Sequence, residues 1–129
     1  MTLQQLNEHY ELVERYINAE NLLQRLCDSA GLKAQAITGM PHGTGVSDKV
    51  GDTVVEIVRT QERLDVMRKQ IREREKPILR WIDGIPDLCT QSIFRLRFIH
   101  GKTWKEVSGM VGGYSEDALK KMCYKELSR

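Results

Sequence analysis

The side chains best suited to chemistry lie near the C-terminus, and the chemistry they suit is polyanion binding. Lys120, Lys121, Tyr124 and Lys125 fall at a spacing that gathers them on one side of a helix. The three ammonium groups can contact phosphates, and Tyr124 can touch a nucleic-acid backbone or pack against its own fold. Ser115, Glu116 and Asp117 come just before them. That is the end of a groove-bound helix that faces base edges. A carboxylate there can accept a hydrogen bond from the cytosine N4 amino group. Ser115 and Asp117 equally suit plain capping of the helix N-terminus. Upstream, Lys102 and Lys105 flank another short segment and could clamp phosphate. Arg97 fits either a phosphate contact or a buried structural arginine. Trp104 reads as core.

Other chemistries find no constellation. No nucleophile–base pair and no metal set stands out. Cys27, Cys89 and Cys123 are far apart and form no CxxC pair, which argues against a disulfide framework and a zinc site. They read as buried reduced thiols. His9, His42 and His100 are equally isolated. The Gly-Thr-Gly at 43–45 lacks the spacing of a phosphate-binding loop. Glu73 and Glu75 are two apart and share no helical face. The expectation is a non-enzyme with no cofactor and no metal.

Hydrophobic residues make up 40% of the 129 residues and charged residues 29%, enough to fold with little core to spare. The opening MTLQQLNEHYE has neither a basic region nor an apolar core of a secretory signal. No stretch approaches the roughly 20 apolar residues of a membrane span. A soluble, cytoplasmic protein without membrane partners is expected. The net charge of +2 hides an asymmetry. Residues 1–31 carry two basic and five acidic side chains, whereas residues 84–129 carry eight and five. The positive excess thus lies on the part that holds the lysine face.

The elements that must position that face read as all-α. Residues 2–30 contain no Gly or Pro, and Gly31 follows as a stop, predicting one long helix. Its apolar stripe starts with Leu3, Leu6, Tyr10, Val13 and Ile17, then moves to a neighbouring face with Leu12, Tyr16, Ala19, Leu23, Leu26 and Ala30. Two apolar faces imply two partners: the next helix, and a second copy of the chain in a homodimer through the long helices. Residues 31–47, rich in glycine, read as a flexible connector. A second helix is predicted from Ser47 or Asp48 to about Lys76. Val50, Ile57, Leu64, Ile71 and Ile78 repeat every seven residues along it, while the companion positions Val54, Gln61, Arg68, Glu75 and Ile82 are only half apolar. Each helix would be roughly 43 Å long, suiting an antiparallel pair. The charged run at 59–76 reads as a solvated coiled-coil face. Pro77 is expected to break or restart the helix. It divides the chain into a helical hairpin (1–76) and a small C-terminal domain (77–129).

Within that domain, Gly84 and Pro86 separate KPILRWIDGI from PDLCTQSIFRLRFIHG, and Gly101 ends the latter. Thr103 and Glu106 form a capping box that starts the next helix. Gly112 and Gly113 make a turn, and Ser115 caps the last helix. Short helix, glycine turn and second helix make a helix-turn-helix, with the recognition helix at about 115–128. Trp104, Val107 and Val111 would brace it. Ala118, Leu119, Met122 and Leu127 would face the brace.

IFRLRFIHGKTWKEVSGMVGGYSEDALKKMCYKEL resembles region 4 of sigma-70-type factors in its LRFIHG run, Thr-Trp, Glu-Val-Ser, glycine turn and Ser-Glu. The likeness covers roughly residues 75–129. With its MPHG loop and SDKV helix start, the whole chain resembles small phage and prophage late transcription regulators of the RinA/ArpU type. The resemblance implies double-stranded DNA as partner, RNA polymerase as a further one, and the cytoplasm of a bacterial host. The turn Val111–Ser115 is one residue longer than the sigma pattern, and the promoter-melting part has no counterpart. Alternative readings are a phage small terminase subunit, and a helical adaptor that binds RNA polymerase without reading DNA.

Overall fold

The computed structural model describes residues 1–31 and 48–129. Among these, every regular element is helical and no strand occurs. The helices are α1 (Leu3–Ser29), α2 (Asp48–Asp83), α3 (Leu88–Phe94), α4 (Trp104–Val111) and α5 (Glu116–Leu127), with a π-helical turn at Arg95–Ile99. The connector, its Gly-Thr-Gly and the Ser47 cap lie outside the described residues, as does the side chain of Val50.

The α1 boundaries have local causes. Thr2 Oγ1 accepts from Gln5 N at 3.2 Å, and Gln5 Oε1 accepts from Thr2 N at 3.0 Å, a reciprocal cap at the start. Gly31 takes φ +71°, and its N–H donates to the Asp28 carbonyl, closing the last turn.

The expected end of α2 near Lys76 is corrected: the helix continues through Pro77 to Asp83. An internal proline costs about 3 kcal/mol through one lost hydrogen bond and a clash. Just beyond it, Ile78 and Ile82 are buried in the same core as Leu6 and Phe94. Burying each isoleucine is worth about 1.5–3 kcal/mol, so packing outweighs the proline.

The chain divides into two compact units, Met1–Arg15 with Lys69–Arg129, and Tyr16–Arg68. In the first, Met1, Gln5 and His9 lie beside Pro77 and Ile78, while Leu12 and Arg15 lie beside Lys69 and Gln70. That order makes these two stretches antiparallel. Their core joins Leu6, Ile78 and Ile82 to Ile85, Ile93, Phe94, Phe98, Val107, Leu119 and Cys123. Trp81, Phe94, Phe98 and Trp104 form an aromatic chain through it, with edge-on contacts at its ends. In the second unit, Ile57 and Leu64 are buried, as the seven-residue repeat predicts. The polar companion Arg68 is also used: its Nε and Nη2 donate to the Tyr16 hydroxyl at 3.2 and 3.0 Å.

The break at Gly84–Pro86 is where the glycine and proline place it. A cap not anticipated from sequence follows: Asp87 Oδ2 accepts from Thr90 N at 3.0 Å and Thr90 Oγ1 at 2.7 Å, starting α3. These bonds hold the Asp87 carboxyl below its usual range. The single helix expected over PDLCTQSIFRLRFIHG changes into a π turn, in which His100 N reaches back to the Arg95 carbonyl at 2.9 Å.

Candidate functional site

The helix-turn-helix is built from local rules. Thr103 and Glu106 make both halves of the capping box, with Glu106 N donating to Thr103 Oγ1 at 3.1 Å and Thr103 N to Glu106 Oε1 at 3.0 Å. The backbone bond from Thr103 holds the Glu106 carboxyl below its usual range. Gly112 and Gly113 both have positive φ, and Gly112, at φ +72°, ψ 150°, sits where only glycine is comfortable. Ser108 Oγ donates to the Tyr114 carbonyl at 2.6 Å and ties the turn to α4. Ser115 Oγ then accepts from Ala118 N at 3.2 Å and starts α5.

Burial orients α5. Leu119 and Cys123 are buried against the same core as Val107, while Ala118, Met122 and Leu127 are half-buried. On the other side Glu116, Asp117, Lys121, Tyr124 and Lys125 are exposed, and Lys120 is half-buried. Ser115 is exposed as well, with its hydroxyl committed to the cap. The outward face thus holds three lysines, one tyrosine and two carboxylates. It is only mildly basic, and its acidic end coincides with the positive end of the helix dipole.

The upstream lysines differ from each other. Lys105 is exposed on the first turn of α4. Lys102 is half-buried, its N–H donates to the Leu96 carbonyl at 3.0 Å, and its charge acts on Glu106. Its ammonium is therefore partly compensated within the fold.

Arg97 resolves to the structural alternative. Its guanidinium lies 3.7 Å from the Tyr10 ring centroid and 4.8 Å from that of Trp104, and Nη1 donates to the Lys102 carbonyl at 3.1 Å. Nε is buried without a partner. The side chain clamps α1 and the turn before α4 to the core. Trp104 is half-buried and packs edge-on against Phe98, so it is core as expected.

Two features escaped sequence reasoning. His9 is 1% exposed, and neither ring nitrogen has a hydrogen-bond partner. It lines a cavity of about 250 Å3 with Met1, Gln5, Glu8, Arg74, Pro77 and Ile78. Burial, aided by Arg74, lowers its pKa. The second is the partial exposure of Cys89: all three thiols are free and Cys27 and Cys123 are buried, as the sequence predicts, but Cys89 is only half-buried. Burial pushes the Cys123 thiol up to about 12, which removes it as a nucleophile.

Among the described residues, no group of three or more His, Cys, Asp and Glu side chains is disposed to hold a metal. None of their helices is long and apolar enough to cross a membrane. No protein-family model, curated protein or solved structure matches the chain.

Proposed function

We propose that this chain is a sequence-specific duplex-DNA-binding protein of the transcription-regulator class, of the kind its resemblance to sigma region 4 and phage late regulators implies. Helix α5 enters the major groove. Lys120, Lys121 and Lys125 contact phosphates, with Lys105 contributing from α4 and Lys102 from the turn before it. Glu116 and Asp117 lie nearest the bases, and RNA polymerase is a further partner. The observation that carries this reading is the two-sidedness of α5. Its apolar side is fixed on Val107 through Leu119 and Cys123, which leaves the lysine-bearing side outward. A short helix braced in this way fits the width of a major groove.

The test is fluorescence anisotropy with labelled duplex DNA from flanking and host promoter regions, over a range of salt. Binding should weaken steeply with salt, with a log–log slope near −5 if about six phosphates are neutralised. The double reversal K120E/K121E should abolish binding while leaving the helical circular dichroism unchanged. An undetectable affinity for duplex DNA at low salt refutes the proposal. Normal DNA binding by K120E/K121E refutes the assignment of α5 as the contacting helix.

A further inference from the structure

Among the described residues, the second unit carries a face that its core does not use. Ile57, Thr60 and Leu64 of α2 are buried. On the opposite side, Val55 and Val66 are 49% and 57% exposed, with Val58 beside them. Arg59 and Glu62 complete a stripe, since residues 55, 59, 62 and 66 alternate by four and three, the spacing of a helix–helix seam. A shallow depression of about 520 Å3, lined by Arg59, Glu62, Arg63, Val66 and Met67, lies along it.

We propose that two copies of this chain pair through this stripe, with their α2 helices antiparallel about a two-fold axis between residues 60 and 61. The charges select the arrangement. In antiparallel register Val55 meets the partner's Val66, Arg59 meets the partner's Glu62, and the flanking Glu56 meets the partner's Arg63. The symmetry repeats each contact. A parallel pairing would instead set Arg59 on Arg59 and Glu62 on Glu62. Sliding the antiparallel pair by one heptad places Glu62 against Asp52 in one direction, and leaves Arg59 without its glutamate in the other. Only one register is therefore complementary in both shape and sign.

Within one chain, Arg59 pairs with Glu56 at 3.2 Å, with both side chains mostly exposed. Such exposed pairs are weak, so Arg59 is free to change partner. The stripe is short, and two valine layers beside ion pairs give a concentration-dependent dimer rather than an obligate one. The sequence anticipates a second copy through the long helices, and the exposed stripe lies on the second of them.

Sedimentation equilibrium on the full chain tests this at near-physiological salt, up to millimolar concentration. The wild type should show a reversible monomer–dimer equilibrium. R59E and E62R each create two like-charge layers per dimer and should each weaken it at least about tenfold. R59E/E62R restores opposite signs and should return the dissociation constant to near the wild-type value. Circular dichroism melts of each variant separate interface loss from unfolding, and V66K gives a second break that leaves the charge layers intact. A chain that stays monomeric throughout refutes the dimer. A dimer unaffected by either reversal, or not rescued by the double reversal, refutes this interface. DNA binding plays no part in the measurement, so the two proposals stand or fall separately.

Discussion

Arg97 offers the sharpest test of how the site is held, because its two roles predict opposite outcomes. As a structural clamp it gains a charge-assisted hydrogen bond to the Lys102 carbonyl, worth about 1.5–3 kcal/mol. It also stacks on Tyr10 and Trp104, worth about 0.5–2 kcal/mol each depending on desolvation. Against this, the buried and unpartnered Nε costs about 1–3 kcal/mol. At the middle of these ranges the balance favours the clamp by about 3 kcal/mol. Arg97→Ala should therefore destabilise the first unit by about that amount, and Arg97→Lys should recover less than half, because an ammonium has no planar face to stack. Both tryptophans, Trp81 and Trp104, belong to this unit, so tryptophan fluorescence during urea unfolding reads it directly. If Arg97→Ala falls within about 0.5 kcal/mol of wild type, the clamp is refuted. If stability holds while DNA affinity collapses, Arg97 is a phosphate contact after all.

Four further outcomes follow from the same reasoning. Burial holds the folded His9 pKa below the ordinary imidazole value of about 6.5, so as pH is lowered past about 6.5 the unfolded chain takes up the proton first and stability decreases, by at most about 1.4 kcal/mol per unit. His9→Leu should flatten that acid limb in pH-dependent urea melts, and an unchanged limb would assign it elsewhere. Gly112→Ala meets no atom within 4 Å of the new Cβ, yet the positive φ should cost about 1–3 kcal/mol by chemical denaturation; a neutral result would mean the turn relaxes. Pro77→Ala should stabilise α2 by about 1–3 kcal/mol by restoring the missing hydrogen bond, less what the unfolded chain gains in freedom. A helix broken at that point would gain nothing. Thr103→Ala removes the cap of α4 and should cost about 1 kcal/mol, read by thermal melting.

Much of the fold was legible because its signals are local. Gly31, Gly101 and the Gly112–Gly113 pair stop helices by backbone geometry, and each takes a positive φ. Thr103–Glu106 and Ser115 start helices through bonds that span only three residues. The outward side of α5 was legible for the same reason, since a 3.6-residue period needs no knowledge of the rest of the chain. Pro77 was misread because its local cost is real but is overruled by Ile78 and Ile82, whose partners Leu6 and Phe94 lie far away in sequence. The π turn at Arg95–Ile99 has no spacing signature; it belongs with packing that buries Phe94 and Phe98 fully while Arg97 reaches Tyr10.

The half-polar seam of α2 shows where pattern reading and packing part. Gln61, Arg68 and Glu75 look like defects in a heptad, yet Arg68 and Glu75 each meet a specific partner. Arg68 bonds Tyr16 from across the second unit. Glu75 is half-buried, and burial raises its carboxyl pKa while His100 opposes the shift. An apolar residue at 68 would add buried area, but it would remove the directional bond that sets Tyr16 opposite that position. Slippage by one heptad, two helical turns, would then cost little, because Ile57, Leu64 and Ile71 recur every seven residues and would find similar neighbours. Polar companions in such a seam thus favour one register at some expense in stability. The exposed valine stripe on the far side of the same helix obeys the same logic, with Arg59 and Glu62 choosing among registers that Val55 and Val66 alone would leave nearly degenerate.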